Sequence, residues 1–220
     1  LSIAKQLLKD SWPLIFSAIV VMIYMRIDQI MIKEMLGEYE VGIYSAAVRL
    51  SEAFYFIPML ITASLFPAIL NAKNQSDELY KQRLQRLYTF MVWMAIAIAL
   101  PMTFLSDWLI LLLFGQAYQE AGQVLMIHIW ASIFVFLGVA SGKWFITENL
   151  QRFTLINTSV GAILNVGLNL IFIPKFGIVG AAYATVISYG VAAYLINSIW
   201  KVSRSNFFML SKSLFLFRKV

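Results

Sequence analysis

The chain has 220 residues, of which 61% are hydrophobic and only 13% charged, with a net charge of +6 and a mean hydropathy of +0.79. Those values exclude an ordinary soluble domain. A hydrocarbon core about 30 Å thick is crossed by about 20 apolar residues in helix, so this length accommodates roughly six spans and no separate soluble domain. Cysteine is absent, which excludes a disulfide framework and a thiolate metal site.

The opening LSIAKQLLKDSW has neither an initiator Met nor the basic, apolar and small-residue parts of a cleavable signal, and reads as the later part of a longer protein. Hydrophobic runs and breakers then predict spans at about 12–36, 41–70, 87–113, 121–142, 153–173 and 177–200. The first contains MIYMRIDQIMI, which carries Arg26 and Asp28 in otherwise lipid-soluble sequence. The second is longer than a bilayer requires and has Pro58 and Pro67 as kink sites; the third has Pro101. Polar residues in SDELYKQRLQRLY, Ser76 to Tyr88, predict a helical extension of the third span beyond the lipid. Residues 201–220 mix five cations with FFML and LFLF and read as a basic amphipathic tail at the membrane surface, not a seventh span.

The basic residues give an independent test of this layout. An even number of spans places on one side Lys5, Lys9, Lys73, Lys81, Arg83, Arg86, Lys143, Arg152, Lys201, Arg204, Lys212, Arg218 and Lys219, which are 13 of the 17 Lys and Arg. The opposite side has Lys33 and Lys175. The positive-inside rule therefore predicts cytoplasmic termini.

An ionised Asp or Arg near the middle of a span costs about 2.5–3.5 kcal/mol on insertion scales, so Arg26 and Asp28 must face protein or water. The short turn GEYE makes the first two spans antiparallel neighbours. At 1.5 Å per residue, depth from that turn matches Asp28 with Arg49 and Arg26 with Glu52, and a shared four-residue cluster is open because Arg49 and Glu52 are three apart. Two readings stay open: charge-paired struts, or groups lining a water-filled cavity for an anionic substrate or a coupling ion.

His128 stands alone in the fourth span and reads as a packed or hydrogen-bonded histidine. Asn165 and Asn169 share one face of the fifth span, where bonding between helices competes with cavity lining. Gly180, Ala184, Ser188 and Ala192 form a small-residue stripe that signals close packing. Lys143 and Glu148 flank a cytoplasmic turn, where Lys143 is a candidate for a headgroup or phosphate. No GxxxxGK[ST] loop is present, so neither direct ATP coupling nor a cofactor is expected, and no nucleic-acid partner.

Two stretches, RIDQIMIKEMLGEYEVGIYSAAVRLSE from Arg26 to Glu52 and NLIFIPKFGIVGAAYATVISY from Asn169 to Tyr189, resemble the second half of polysaccharide flippases of the multidrug/oligosaccharidyl-lipid/polysaccharide, MATE-like superfamily. FG-x-x-Y at Phe114 to Tyr118 resembles that family's periplasmic turn. The resemblance implies an all-α transmembrane six-helix bundle equivalent to the C-terminal lobe of a two-lobed transporter, with an N-terminal lobe as partner. It also implies ion-gradient-driven alternating access that flips undecaprenyl-diphosphate-linked oligosaccharide across the bacterial inner membrane, as in O-antigen and lipopolysaccharide assembly. Under it, Arg26 and Arg49, with Asn165, Asn169 and Lys143 as further cavity candidates, would meet cargo. Asp28 and Glu52 would balance charge or couple H⁺ or Na⁺.

A drug or cation antiporter of the same fold is the alternative, although two arginines and the positive charge favour anionic cargo. A membrane-embedded enzyme would need an acid, base or metal site that the external connection near Gly115 to Gly122, with Glu120 alone, does not supply. A structural subunit of polysaccharide assembly is the third reading.

Overall fold

A computed structural model of the chain describes residues 2–215, with side chains from residue 11 onward. The helices are α1 (Ser2–Met35), α2 (Glu38–Glu52), α3 (Phe56–Gln75), α4 (Asp77–Phe114), α5 (Ala121–His128), α6 (Ala131–Thr147), α7 (Gln151–Ala193) and α8 (Arg204–Phe215), and the described residues contain no strand. Five stretches among them are long and apolar enough to cross a membrane: Ser11–Met35, Glu38–Gln75, Asp77–Phe114, Ala121–Thr147 and Gln151–Ser198. Large apolar side chains face outward, with Phe104 79% and Ile163 74% exposed. The expected all-α transmembrane bundle is what the chain forms.

The last of these stretches is two arms. Gly177 has φ 60 and ψ −144, a conformation that only glycine adopts without strain, and it falls inside α7 just after Pro174. On either side the arms run antiparallel: Gly161 lies against Ala192, Asn165 against Ser188, and Gly180 against Phe172. A Cβ on Gly180 would fall 2.2 Å from the carbonyl oxygen of Phe172, so the arms meet there backbone to backbone. The stripe Gly180, Ala184, Ser188, Ala192 faces the first arm, as its spacing predicts.

The second predicted span differs from expectation. It breaks at 53–55 between α2 and α3, before Pro58, and not at Pro58 itself. Pro58 occupies the first turn of α3, where an N–H has no intrahelical partner to lose. Turns carry the chain across the gap, with Ala53 N–H donating to the Arg49 carbonyl at 3.1 Å and Tyr55 N–H to that of Glu52 at 2.9 Å. The fourth span is likewise interrupted at Ile129–Trp130 and ends at Thr147, beyond the predicted 142, because no breaker intervenes before Asn149, whose φ is 56.

α4 extends well beyond lipid length, as SDELYKQRLQRLY predicts. Ser76 caps it by accepting from Leu79 N–H at 3.1 Å, and Asp77 and Glu78 in the first turn oppose the helix dipole. Tyr80, Leu84 and Tyr88 on this extension, with Met91 just beyond it, pack with Phe136, Leu137 and Trp144 of α6 and Leu210 of α8 into one core cluster. The other core gathers Ile32, Tyr44, Ala47, Ile110, Leu125 and Ala182. α8 is pinned to α4 by Tyr88 Oη donating to Asn206 Oδ1 at 2.7 Å and Gln85 Nε2 to the Met209 carbonyl at 3.1 Å. Phe208 and Phe215 of α8 stay exposed. Residues 216–220 of the predicted tail, with Arg218 and Lys219, lie outside the described residues.

Candidate functional site

Asp28 sits in the core of the bundle, 5% exposed. Its Oδ2 accepts from the Tyr44 hydroxyl of α2 at 2.9 Å and meets the Thr185 hydroxyl of α7's second arm. Its Oδ1 accepts from Asn169 Nδ2 of the first arm at 2.6 Å. All three groups act as donors, the arrangement suited to a carboxylate that only accepts. Hydrogen bonds to a charged group are worth about 1.5–3 kcal/mol each, so three offset the cost of about 3 kcal/mol for an acid at this depth.

Beyond Asp28 the network continues. Asn169 Nδ2 also donates to Asn165 Oδ1 at 3.1 Å, and Asn165 Nδ2 donates to Ser188 Oγ at 3.4 Å. Tyr24 Oη donates to the same Ser188 oxygen at 3.1 Å. Asn169 Oδ1 is buried beside Asp28 without a hydrogen-bond partner among the described residues. The negative charge on Asp28 is met by no ion pair among those residues.

The expected pairing of Asp28 with Arg49 is therefore corrected, and with it the shared four-residue cluster. Tyr44, not Arg49, reaches Asp28 from α2. The two differ by five residues, about 140° around a helix, and depth alone does not fix that angle. Arg49 is exposed and lines a cleft of about 400 Å³ with Lys33, Ser45, Phe114 and Tyr118. The other expected pair is present: Arg26 Nη2 meets Glu52 Oε2 at 3.1 Å, with the Arg26 side chain 52% exposed and that of Glu52 15%.

Arg26 stands on an open face of α1, among the exposed Ile19, Met22, Ile23 and Ile30. Two residues along, Asp28 turns into the core. Lys143 lies elsewhere, with its ammonium 5.1 Å from the Phe66 ring centroid. Nearby Glu148 is held by Lys73 at 2.7 Å. His128 is a packed histidine, with Nδ1 2.9 Å from Ser51 Oγ and its ring edge-on to Tyr44. The structure thus gathers Asp28, Asn165 and Asn169, joins Arg26 to Glu52, and leaves Arg49 and Lys143 apart.

Tyr24, Tyr44 and Thr185 also belong to the network. Tyr24 and Asp28 share a face of α1 by their spacing of four, which was a usable signal; Tyr44 and Thr185 had none in a single sequence. A groove of about 1580 Å³ lies between α4 and α8, away from this network. There Lys81, Arg86 and Lys212 are balanced by Asp77, Glu78 and Glu148.

Residues 1–73 match the sequence profile of a family described as "Polysaccharide biosynthesis protein". The chain is 26% identical over 196 residues to a probable low-salt glycan biosynthesis flippase, Agl15, of Haloferax volcanii, covering 87% of this chain and 41% of that protein. It is 30% identical over 182 residues to the probable flippase AglR of the same organism, covering 79% of this chain and 37% of the relative. A capsular polysaccharide biosynthesis protein of Staphylococcus aureus, CapF, is 24% identical over 184 residues, with 82% and 46% covered. The resemblance to polysaccharide flippases is borne out. This flippase-like chain is a multi-pass membrane protein and spans about two fifths of the length of these relatives. No solved structure matches it.

Proposed function

We propose that this chain is the C-terminal lobe of a flippase that moves oligosaccharide linked to a polyprenyl diphosphate, undecaprenyl diphosphate in a bacterial inner membrane, by alternating access driven by H⁺ or Na⁺. The observation that carries the reading is the division of labour on α1: Arg26 is displayed on an open face, while Asp28 is buried in the lobe with its charge uncompensated. A diphosphate crossing hydrocarbon needs a hydrated cationic path, and guanidinium offers it bidentate contacts that an ammonium does not. Arg26 and Arg49 supply that chemistry, with Glu52 holding Arg26 in place. The face of α1 that carries Arg26 is the one turned toward an N-terminal lobe.

In this reading Asp28 takes the coupling ion. A proton would neutralise it directly; a sodium ion would find the carboxylate and the unpartnered Asn169 Oδ1 as oxygen ligands. The positive-inside distribution orients the bundle with the α6–α7 turn and α8 in the cytoplasm, and α8 rests at the headgroups. Transport, not catalysis, is the activity. A drug antiporter would share the Asp28 arrangement, and the exposed arginines favour anionic cargo over cationic drugs.

The test is single cysteines at positions 26, 28 and 49 of the full-length protein, labelled by an impermeant thiol reagent with and without lipid-linked oligosaccharide. Cargo should protect positions 26 and 49, while position 28 stays unlabelled in both conditions. Labelling at 26 and 49 that cargo leaves unchanged would rule out their contact with it.

A further inference from the structure

The first arm of α7 carries a continuous polar line. Thr154, Asn157, Thr158, Gly161, Asn165 and Asn169 follow at helical spacing on the side toward α1 and the second arm, a rise of about 22 Å. Ser17 Oγ of α1 lies 3.1 Å from Thr158 Oγ1, the Tyr24 hydroxyl lies over Gly161, and Asp28 closes the line at Asn169. Asn157, Asn165 and Asn169 are buried, as is Ser17. The line begins at the end of the bundle that bears the α6–α7 turn.

Helix–helix adhesion accounts for the paired members of this line but not for the rest. Thr154 Oγ1, Asn157 Oδ1 and Asn169 Oδ1 are buried with no hydrogen-bond partner among the described residues. An orphaned buried oxygen costs about 1–3 kcal/mol and calls for a specific reason. Three such acceptors along one line, ending at an uncompensated carboxylate, form a series of oxygen donors of the kind a small hydrated cation requires.

We infer that the coupling cation passes between Asp28 and the end bearing the α6–α7 turn along the α1–α7 seam, past Ser17, Asn157 and Thr158, as one leg of its crossing of the membrane. The seam is tightly packed at Gly161, where the Tyr24 hydroxyl stands in the line. Its ring, 4.7 Å from that of Tyr189, holds it there. A Cβ on Gly161 would lie 2.6 Å from Ala192 Cβ and 3.3 Å from this hydroxyl. The inference rests on Asp28 as the coupling carboxylate.

Silver ion, a thiophilic cation of alkali-ion size, tests the route in sealed vesicles containing the full-length protein without other cysteines. Asn157→Cys places a thiol in the line, Ile163→Cys places one on the outward side of the same arm, and Lys81→Cys reports which side of the vesicle this end faces. Silver applied from the Lys81 side should modify position 157 at least about tenfold faster than position 163, about 1.4 kcal/mol in barrier. Equal rates at 157 and 163, or modification of 157 only from the opposite side, would overturn the route. In a second variant, Asn157→Leu should leave abundance unchanged and slow the transport response to an ion jump; an unslowed response at normal abundance also overturns it. Asp28→Asn separates the two ideas: if that variant keeps ion dependence, both fall, whereas an uncoupled Asp28→Asn with an unreactive position 157 sinks the route alone.

Discussion

Asp28 and Asn169 are joined by a 2.6 Å hydrogen bond across the α1–α7 interface, and the same amide nitrogen also holds Asn165. Both amide hydrogens are therefore spent on fixing two acceptors, while the amide oxygen stays unpaired. Asn169→Leu should strand the Asp28 carboxylate with fewer donors and lower membrane abundance severalfold, consistent with about 1–3 kcal/mol for a lost charged partner. Asn169→Ser should recover part of it. Abundance by immunoblot and monodispersity in detergent are the measurements.

The pairing on α1 and α2 is open to a charge exchange. Arg26→Glu with Glu52→Arg should restore abundance lost in either single variant, with a coupling of at most about 1 kcal/mol because the guanidinium is half exposed, while transport stays impaired because the cargo-facing guanidinium has left α1. Asp28→Arg with Arg49→Asp should show no rescue, since these residues do not meet. Double-mutant cycles on transport and abundance distinguish the two outcomes.

Gly180→Ala should destabilise the hairpin of α7. The added methyl falls on the Phe172 carbonyl, a backbone atom that cannot swing aside, and overpacking of this kind costs about 1–3 kcal/mol. Ala184→Gly on the same stripe should cost less. Thermal unfolding in detergent, read as a drop in Tm, ranks the pair.

Tyr88→Phe should loosen α8. It removes the donor to Asn206 Oδ1 and leaves an amide that is 0% exposed, whose Nδ2 already lacks a partner, unsatisfied at both ends. Limited proteolysis should then cut more rapidly near 198–204, with the rest of the bundle unaffected.

Apolar periodicity and the small-residue stripe were legible in sequence because each rests on local spacing. The Arg26–Glu52 pair was legible because the short GEYE turn fixes relative depth. What depth does not fix is rotation about the helix axis, and there Asp28 went to Tyr44, Asn169 and Thr185 in place of Arg49. Thr185 is 157 residues from Asp28 in sequence, and nothing local announces it. The break at 53–55 was displaced from Pro58 because proline is accommodated in the first turn of the helix that follows.

The most direct measurement is flipping of a fluorescent lipid-linked oligosaccharide by the full-length protein in proteoliposomes, under imposed H⁺ or Na⁺ gradients, for the native protein and Asp28→Asn. The native rate should rise with one of the two gradients, while Asp28→Asn, at equal reconstituted amount, should respond to neither. An Asp28→Asn protein that keeps the native gradient response would contradict the assignment of Asp28 as the coupling site.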